Sequence, residues 1–191
     1  MTTSNTPSPF PHPPNFPGPK IAAAKVSYRL SDADIERVEG YVADIAAEAA
    51  LVGRPSLFDP DHGTLHEAQM RGFGAELALA RLTGLSWPHP ESPIQTRGIP
   101  DLGVRLEVRS TRNDRRPSLH IGLGEKGERA YALMLNRPDG GWLYEFVGWC
   151  WGWEASESGS VVTNHRGSAH RIDARYLRPW PIADRALEER A

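Results

Sequence analysis

Residues 100–111 read PDLGVRLEVRST, in which a charged row runs through an apolar, β-branched segment. Side chains two positions apart in a β-strand point to the same face. Glu107 and Arg109 therefore share one face, and Leu106 and Val108 share the other. The apolar pair suits a hydrophobic core, whereas the charged pair needs a polar partner or a function. The segment predicts a β-strand with one charged face.

Gly103 allows the chain to reverse between the two acidic residues of this segment. In a continuous strand, Asp101 and Glu107 would lie about 20 Å apart, at roughly 3.3 Å per residue. A turn at Gly103 instead brings both carboxylates within reach of one ion. Converging carboxylates repel each other, and a hard divalent cation such as Mg²⁺ or Mn²⁺ neutralises them. The alternative is that Asp101 is an ordinary turn residue and that the charged face of the strand is solvated.

A cationic side chain beside such an ion suits phosphodiester hydrolysis. The ion polarises the phosphate and lowers the pKa of a bound water, and a neighbouring cation stabilises the developing charge. Arg109 is that cation in this sequence. We therefore regard Asp101, Glu107 and Arg109 as the candidate catalytic residues.

The segment also resembles the signature of the PD-(D/E)xK, or restriction-endonuclease-like, nuclease superfamily. In that superfamily an aspartate precedes a carboxylate-x-lysine strand, and a glutamate lies on an earlier helix, often within Gly-Glu-x-Ala. The residues that carry the resemblance are Pro100, Asp101, Glu107, Val108 and Arg109, together with Glu76 in GFGAELALA. The order of GFGAELALARLTG, DLGVRLEVRST, YALML and FVGWCWGWEA is similar to small phage and actinobacterial members. The resemblance covers roughly residues 64–180.

This resemblance implies a restriction-endonuclease-like core and metal-dependent hydrolysis of phosphodiester bonds in DNA. The metal ligands that it implies are Glu76, Asp101, Glu107 and the carbonyl group of Val108. A surface glutamate on an Ala-rich helix is the alternative interpretation of Glu76.

One residue departs from the family pattern. Arg109 stands where the family has lysine, and arginine stays protonated, with a pKa above about 12, so it cannot act as a general base. It can still hold a phosphate as an electrostatic clamp. The departure leaves a second hypothesis open, in which the chain is a catalytically inactive nuclease-fold module that binds nucleic acid or a partner protein, as a phage or host interaction factor.

Two helices are predicted before the strand segment. Residues 31–53 open with Ser31 and Asp34 at capping-box spacing and carry apolar residues at helical intervals. Residues 65–83 are rich in Ala and Leu, and Gly84 follows as a closing residue. Glu76 lies in the second of these helices.

Short strand-like runs follow the helices, in VRLEVRS, SLHIGL, YALML and WLYEFVGWCWGW. They predict a mixed α/β fold, with a small central mixed sheet of four to five strands flanked by helices. We expect one nuclease-like domain over residues 26–185, its sheet over about 99–155. Residues 165–185 form a C-terminal extension, predicted as an irregular edge with a short closing helix.

The segment FVGWCWGW carries tryptophans at two-residue spacing, at positions 149, 151 and 153. Aromatic platforms can hold unpaired bases, but three tryptophans on one strand face are more typical of a core packed against a helix. The core interpretation is favoured, and it makes Cys150 a structural thiol.

Several arginines surround the candidate site, although the net charge of the chain is −2. Contact with a phosphate backbone needs such a local concentration of positive charge. The predicted nucleic-acid-binding residues are Arg97, Arg105, Arg112, Arg115 and Arg116. An ordinary solvated hairpin is the alternative.

The composition of the chain also bears on its compartment, its partners and its cofactors. The single cysteine cannot form an internal disulfide, and no stretch resembles a signal peptide or an apolar span of about 18 residues. We therefore expect a cytoplasmic protein with no membrane partner. The absence of a phosphate-binding glycine loop predicts no nucleotide cofactor. Residues 1–25 are rich in proline and predict a disordered tail.

Overall fold

A computed structural model of the chain describes residues 26–51, 65–87, 99–125, 127–137, 139–164 and 167–187. The predicted proline-rich tail over residues 1–25 lies outside the described residues, as does Arg97. The helices are α1 (Asp32–Leu51), α2 (Leu65–Thr83) and α3 (Gly152–Ser158). The strands are β1 (Ser27–Arg29), β2 (Leu106–Thr111), β3 (Ser118–Gly122), β4 (Ala130–Asn136), β5 (Leu143–Trp151), β6 (Ser160–Asn164) and β7 (Gly167–Asp173).

The fold is mixed α/β, as the sequence predicts. A four-stranded sheet has the order β1-β5-β4-β2, in which β2 runs parallel to β4 and the other pairs are antiparallel. A second, three-stranded sheet has the order β3-β7-β6 and is antiparallel throughout. The sheet predicted over about 99–155 contains β2, β4 and β5 of the first sheet and β3 of the second, whereas β1, β6 and β7 lie outside it. Short 3₁₀ turns follow at Ala174–Tyr176 and Asp184–Ala186.

The predicted ends of the long helices are confirmed where the structure describes them. Ser31 and Asp34 form the reciprocal capping box at the start of α1, with two side chain–backbone hydrogen bonds of 3.2 Å each. Gly84 closes α2 with φ of 78°, and its N–H donates to the carbonyl of Ala80 at 2.8 Å. Arg81 of α2 also bonds Asp34 at 2.7 Å, which ties the two helices together.

Both faces of the four-stranded sheet are covered by apolar side chains. On one face Leu106 and Val108 of β2 belong to a buried cluster shared with α2. On the other face Tyr131 and Leu133 of β4 pack with residues of the small sheet, such as Ile121. This double cover explains why β4 is buried along its whole length.

The tryptophan segment contributes to the core, as predicted. Trp149 and Trp151 lie in β5 and are buried in the cluster beneath α2. Trp153 does not continue the strand, because the chain turns into α3 at Gly152. Burial raises the pKa of the Cys150 thiol to about 12, in keeping with a structural cysteine.

Within the described residues, no helix combines the length and the apolar character needed to cross a membrane.

Candidate functional site

The predicted turn at Gly103 is present, and it places Asp101 beside β2. Gly103 has φ of 52°, a left-handed conformation that glycine adopts without a steric cost. The turn is closed by two backbone hydrogen bonds between Leu102 and Leu106, of 3.0 and 3.2 Å. Because β2 is an edge strand of its sheet, this turn lies along its outer edge. The carboxylate of Asp101 is thereby brought next to the middle of the strand.

Asp101 binds the backbone edge of β2 that faces away from β4. Backbone groups of alternate residues in a strand point to opposite edges, so Val108 directs its N–H and C=O away from β4. The N–H of Val108 donates to Oδ2 of Asp101 at 2.7 Å. The carbonyl of Val108 accepts a hydrogen bond from Nη1 of Arg109 at 3.3 Å. The carboxylate of Asp101 and the carbonyl of Val108 therefore both lie at this edge of β2, next to the guanidinium of Arg109.

Three of the four predicted metal ligands converge on a single atom, Nη1 of Arg109. This nitrogen lies 3.8 Å from Oδ2 of Asp101 and 3.4 Å from Oε2 of Glu107. The carbonyl oxygen of Val108, at 3.3 Å, is the third ligand. The predicted convergence of Asp101, Glu107 and Arg109 is therefore observed, with the guanidinium group at the point where the oxygens meet. We refer to this point as the convergence point.

Glu107 is buried and does not face water, so the interpretation of a solvated charged face is wrong. Its side chain is 8% exposed, and its two oxygens bond different arginines. Oε2 lies against Arg109, and Oε1 forms an ion pair with Arg129. Arg129 is itself only 10% exposed and immediately precedes β4. Sequence reasoning missed Arg129, because only the parallel pairing of β2 with β4 brings it to Glu107.

Glu76 approaches from α2 and shares the electrostatic environment of the other two acids. Its Oε2 accepts a hydrogen bond from Nε1 of Trp87 at 3.0 Å. Burial raises the pKa of Glu76 well above its ordinary value, and the charges of Asp101 and Glu107 raise it further. Trp87 and Arg109 only partly offset these effects. The charge of Glu76 therefore interacts with those of Asp101 and Glu107, so Glu76 is not an isolated surface glutamate.

The raised pKa of Asp101 indicates that its repulsion by Glu107 is not fully offset. Burial raises its pKa, and the nearby charge of Glu107 raises it further, to about 7. Arg109 and the N–H of Val108 lower it, but not enough to compensate. Two acids with raised pKa values in one place are typical of functional sites, because a structural ion pair usually lowers the pKa of its acid.

The atoms at the convergence point are of the chemical type that binds a hard divalent cation. Two carboxylates and one backbone carbonyl are the oxygen ligands that Mg²⁺ and Mn²⁺ bind. Among the described residues no group of three or more His, Cys, Asp or Glu side chains is arranged to hold a metal ion. The two findings agree, because the acids in the described part of the chain that contact the convergence point are Asp101 and Glu107, whereas Glu76 joins the site through its charge.

A cleft opens beside Arg109, with a volume of about 310 Å³. Its walls include Glu107, Arg109, Glu125, Arg129 and Tyr131. This volume lies at the lower end of the roughly 300–1,000 Å³ of small-molecule sites. Nη2 of Arg109 bonds Glu125 across the cleft at 2.6 Å, and its guanidinium lies 5.6 Å from the ring centre of Tyr131. Both arginines of the cleft are held in place by acidic partners.

Of the predicted nucleic-acid-binding arginines, the four that the structure describes fall into two groups instead of one rim. Arg105 is exposed just before β2, whereas Arg112, Arg115 and Arg116 are exposed just after it. The strand between the groups spans about 20 Å, at roughly 3.3 Å per residue. On the second side, Arg71 of α2 lies near Arg112. Burial, and then the charge of Arg112, lower the pKa of Arg71.

Comparisons with protein-family models, with curated proteins and with solved structures yield no match for this chain.

Proposed function

We propose that the chain is a divalent-cation-dependent nuclease that hydrolyses phosphodiester bonds in DNA. The observation that carries the proposal is the convergence of oxygens from Asp101, Glu107 and Val108 on the position of Nη1 of Arg109. A cation already occupies that position in the form of a guanidinium group. The proposed setting is the cytoplasm, without a nucleotide cofactor or a membrane.

The roles of the residues follow from their contacts. Asp101, Glu107 and the Val108 carbonyl would hold Mg²⁺ or Mn²⁺, and Glu76 would add negative charge from α2. When bound, the ion supplies polarisation of the phosphodiester and a water of lowered pKa. Arg109 lines the cleft and stabilises the negative charge that develops on the phosphate. Because arginine keeps its proton, it is an electrostatic group and not a base.

DNA contact is assigned to the exposed arginines at the two ends of β2. They lie on either side of the carboxylate site along the strand, so a phosphate backbone that touches both groups passes over the site. Arginine contacts to phosphates supply affinity without reading sequence. We therefore propose DNA as the partner, with binding that weakens as salt rises.

A plasmid-nicking assay tests this function. Nicking is expected with Mg²⁺ or Mn²⁺ and not with a chelator, and Asp101→Asn and Glu107→Gln are expected to abolish it. Asp114→Asn is the matched control, because Asp114 is an exposed acid paired with Arg137 away from the cleft. Circular dichroism verifies that each variant is folded. Unchanged nicking in the Asp101 and Glu107 variants would remove the assignment.

A second candidate function is a catalytically inactive module that binds nucleic acid. The observation in its favour is that Arg109 already neutralises the acids at the convergence point. This candidate predicts salt-sensitive DNA binding without metal and no cleavage of any substrate. An Arg109→Lys variant, which restores the motif lysine, separates the two candidates further. Cleavage that appears only in this variant identifies Arg109 as the residue that silences the site.

A further inference from the structure

Glu107 divides its two carboxylate oxygens between two arginines from different parts of the chain. Oε1 pairs with Arg129, and Oε2 lies 3.4 Å from Arg109. The two arginines differ in burial, because the Arg129 side chain is 10% exposed and the Arg109 side chain is 33% exposed. The more exposed of the pair lies on the open edge of β2, and the more buried one lies beside β4.

The two arginines also differ in what else they hold. Nη1 of Arg109 occupies the convergence point, whereas Nη1 of Arg129 pairs with the other carboxylate oxygen of Glu107, Oε1. Nη2 of Arg109 is bound separately, by Oε2 of Glu125 at 2.6 Å. Glu125 is held in turn, since its Oε1 accepts the N–H of Gly122 at 2.9 Å. Arg109 therefore has a third acidic partner, Glu125, outside the convergence point.

A divalent cation and Nη1 of Arg109 cannot occupy the convergence point together. Oxygen ligands of Mg²⁺ lie at about 2.1 Å, so an ion bound there takes the space that the nitrogen fills. Two positive charges at such a distance also repel each other strongly where water is scarce. The ion pair between Glu107 and Arg129 uses Oε1 of Glu107, so it can persist when an ion binds at the convergence point.

We propose that a divalent cation and the guanidinium of Arg109 exchange at the convergence point, while Arg129 remains on Glu107 as a positioning residue. Arg129 holds Oε1 and so directs Oε2 toward the point of exchange. Glu125 keeps the displaced guanidinium on the wall of the cleft, where it faces a bound phosphate. This inference rests on the proposed function, because that function supplies the cation.

Binding of Mn²⁺, measured by electron paramagnetic resonance and by calorimetry, tests the exchange without an activity assay. The full chain is compared with Arg109→Met and Arg129→Met, each of which removes one positive charge beside Glu107. Exchange predicts roughly tenfold tighter binding in Arg109→Met, because the competing charge is gone. It predicts roughly tenfold weaker binding in Arg129→Met, because the group that orients the ligand is lost.

The matched pair separates exchange from a simple effect of net charge. If net charge alone matters, both variants tighten Mn²⁺ binding to the same degree, and the inference is overturned. It is also overturned if the wild-type chain binds Mn²⁺ and Arg109→Met binds it no more tightly. Absence of Mn²⁺ binding in the wild type and in every variant instead removes the proposed function itself.

Conservative variants keep the test decisive where a charge deletion prevents folding. Arg109→Lys keeps the competing charge, so it is expected to bind Mn²⁺ with close to wild-type affinity. Arg129→Lys keeps a cation beside Oε1 of Glu107 and is expected to restore most of the affinity lost in Arg129→Met. Tighter binding in Arg109→Lys equal to that in Arg109→Met contradicts competition by charge.

Discussion

Asp34 and Asp101 are two aspartates of one fold with opposite electrostatic outcomes. Each lies next to an arginine, and burial acts to raise the pKa of both. The pKa of Asp34 is nevertheless lowered, because Arg81 and Ser31 donate hydrogen bonds to its carboxylate. The pKa of Asp101 instead rises to about 7.

The difference lies in the neighbours and not in the aspartates. Asp34 is surrounded by donors, including the hydroxyl of Ser31 at 2.9 Å and the guanidinium of Arg81 at 2.7 Å. Asp101 shares its arginine with Glu107 and has Glu76 nearby as a further acid. A carboxylate with enough donors stabilises the fold, whereas one in a cluster of acids is kept at some cost to stability. The cost at Asp101 is what the proposed cation would relieve.

The largest expected effect on stability follows from removing the side chain of Asp34, whose carboxylate has several hydrogen-bond donors. Asp34→Ala deletes the Asp34 half of the capping box of α1 and the link to Arg81 of α2, so the free energy of unfolding is expected to fall by about 2–3 kcal/mol. Urea denaturation at pH 7 measures the change. Glu36→Ala is the control, since Glu36 is exposed one turn away in the region of α1. A loss no greater than in the control would show that Asp34 is not the structural residue of the pair.

The opposite sign is expected at Asp101. Asn keeps an oxygen for the Val108 N–H but removes the charge that repels Glu107, so Asp101→Asn is expected to raise stability at pH 8 by roughly 1–2 kcal/mol. The same variant is expected to lose Mn²⁺ binding. A variant that is less stable than the wild type at pH 8 would contradict repulsion between Asp101 and Glu107.

The pH dependence of stability distinguishes the two aspartates in a single protein. Asp101 has a folded pKa of about 7, above its ordinary value of 3.8, so between these values the folded state retains a proton that the unfolded state has released. Its contribution to stability therefore falls as pH rises through this window. We expect a slope of roughly 0.5 kcal/mol per pH unit, since coupled acids share the proton. Denaturation of wild type and Asp101→Asn between pH 4 and 8 should give curves that diverge as pH rises.

Asp34 is expected to behave in the reverse manner. Its pKa is lowered, so its contribution is present above the ordinary value of 3.8 and is lost as pH falls below it. A difference between wild type and Asp34→Ala that is constant from pH 5 to 8 and shrinks below pH 4 agrees with this sign.

The smallest effect on stability is expected at an exposed charge. Arg112→Ala is expected to change the free energy of unfolding by no more than about 0.5 kcal/mol, because the side chain is exposed and lies beside the like charge of Arg71. DNA affinity is expected to fall and its salt dependence to weaken by about one phosphate contact. Fluorescence anisotropy with labelled DNA over a range of salt concentrations measures both. An unchanged salt dependence would exclude Arg112 from the DNA contact.

Features built from neighbouring residues were accessible to sequence reasoning. The capping box of α1 needs only Ser31 and Asp34, and the turn at Gly103 needs only one glycine at a positive φ. The alternation of β2 likewise predicts that Glu107 and Arg109 share a face, and their 3.4 Å contact confirms it. These features depend on local backbone geometry, which is short-ranged.

The ion-pair partners of Glu107 and Arg109 could not be predicted from the local sequence. Arg129 reaches Glu107 across 22 positions of sequence, through a parallel pairing that has β3 inserted in its connection. Glu125 reaches Arg109 across 16 positions, from the turn after β3. Neither residue lies in a recognisable motif, so neither was predicted. The second sheet was missed for a different reason: β3 is predicted as a strand, but β6 and β7 carry many polar residues.

By itself, the sequence determined which side chains of residues 100–111 lie together, because a glycine turn and a two-residue strand period set their directions. The tertiary structure alone decided what those side chains meet. It buried Glu107 between two arginines, brought Glu76 near from α2 and placed the guanidinium of Arg109 at the convergence point. Directions follow from the backbone of a few residues, whereas burial and charge balance depend on elements that are distant in the chain and meet only in the folded protein.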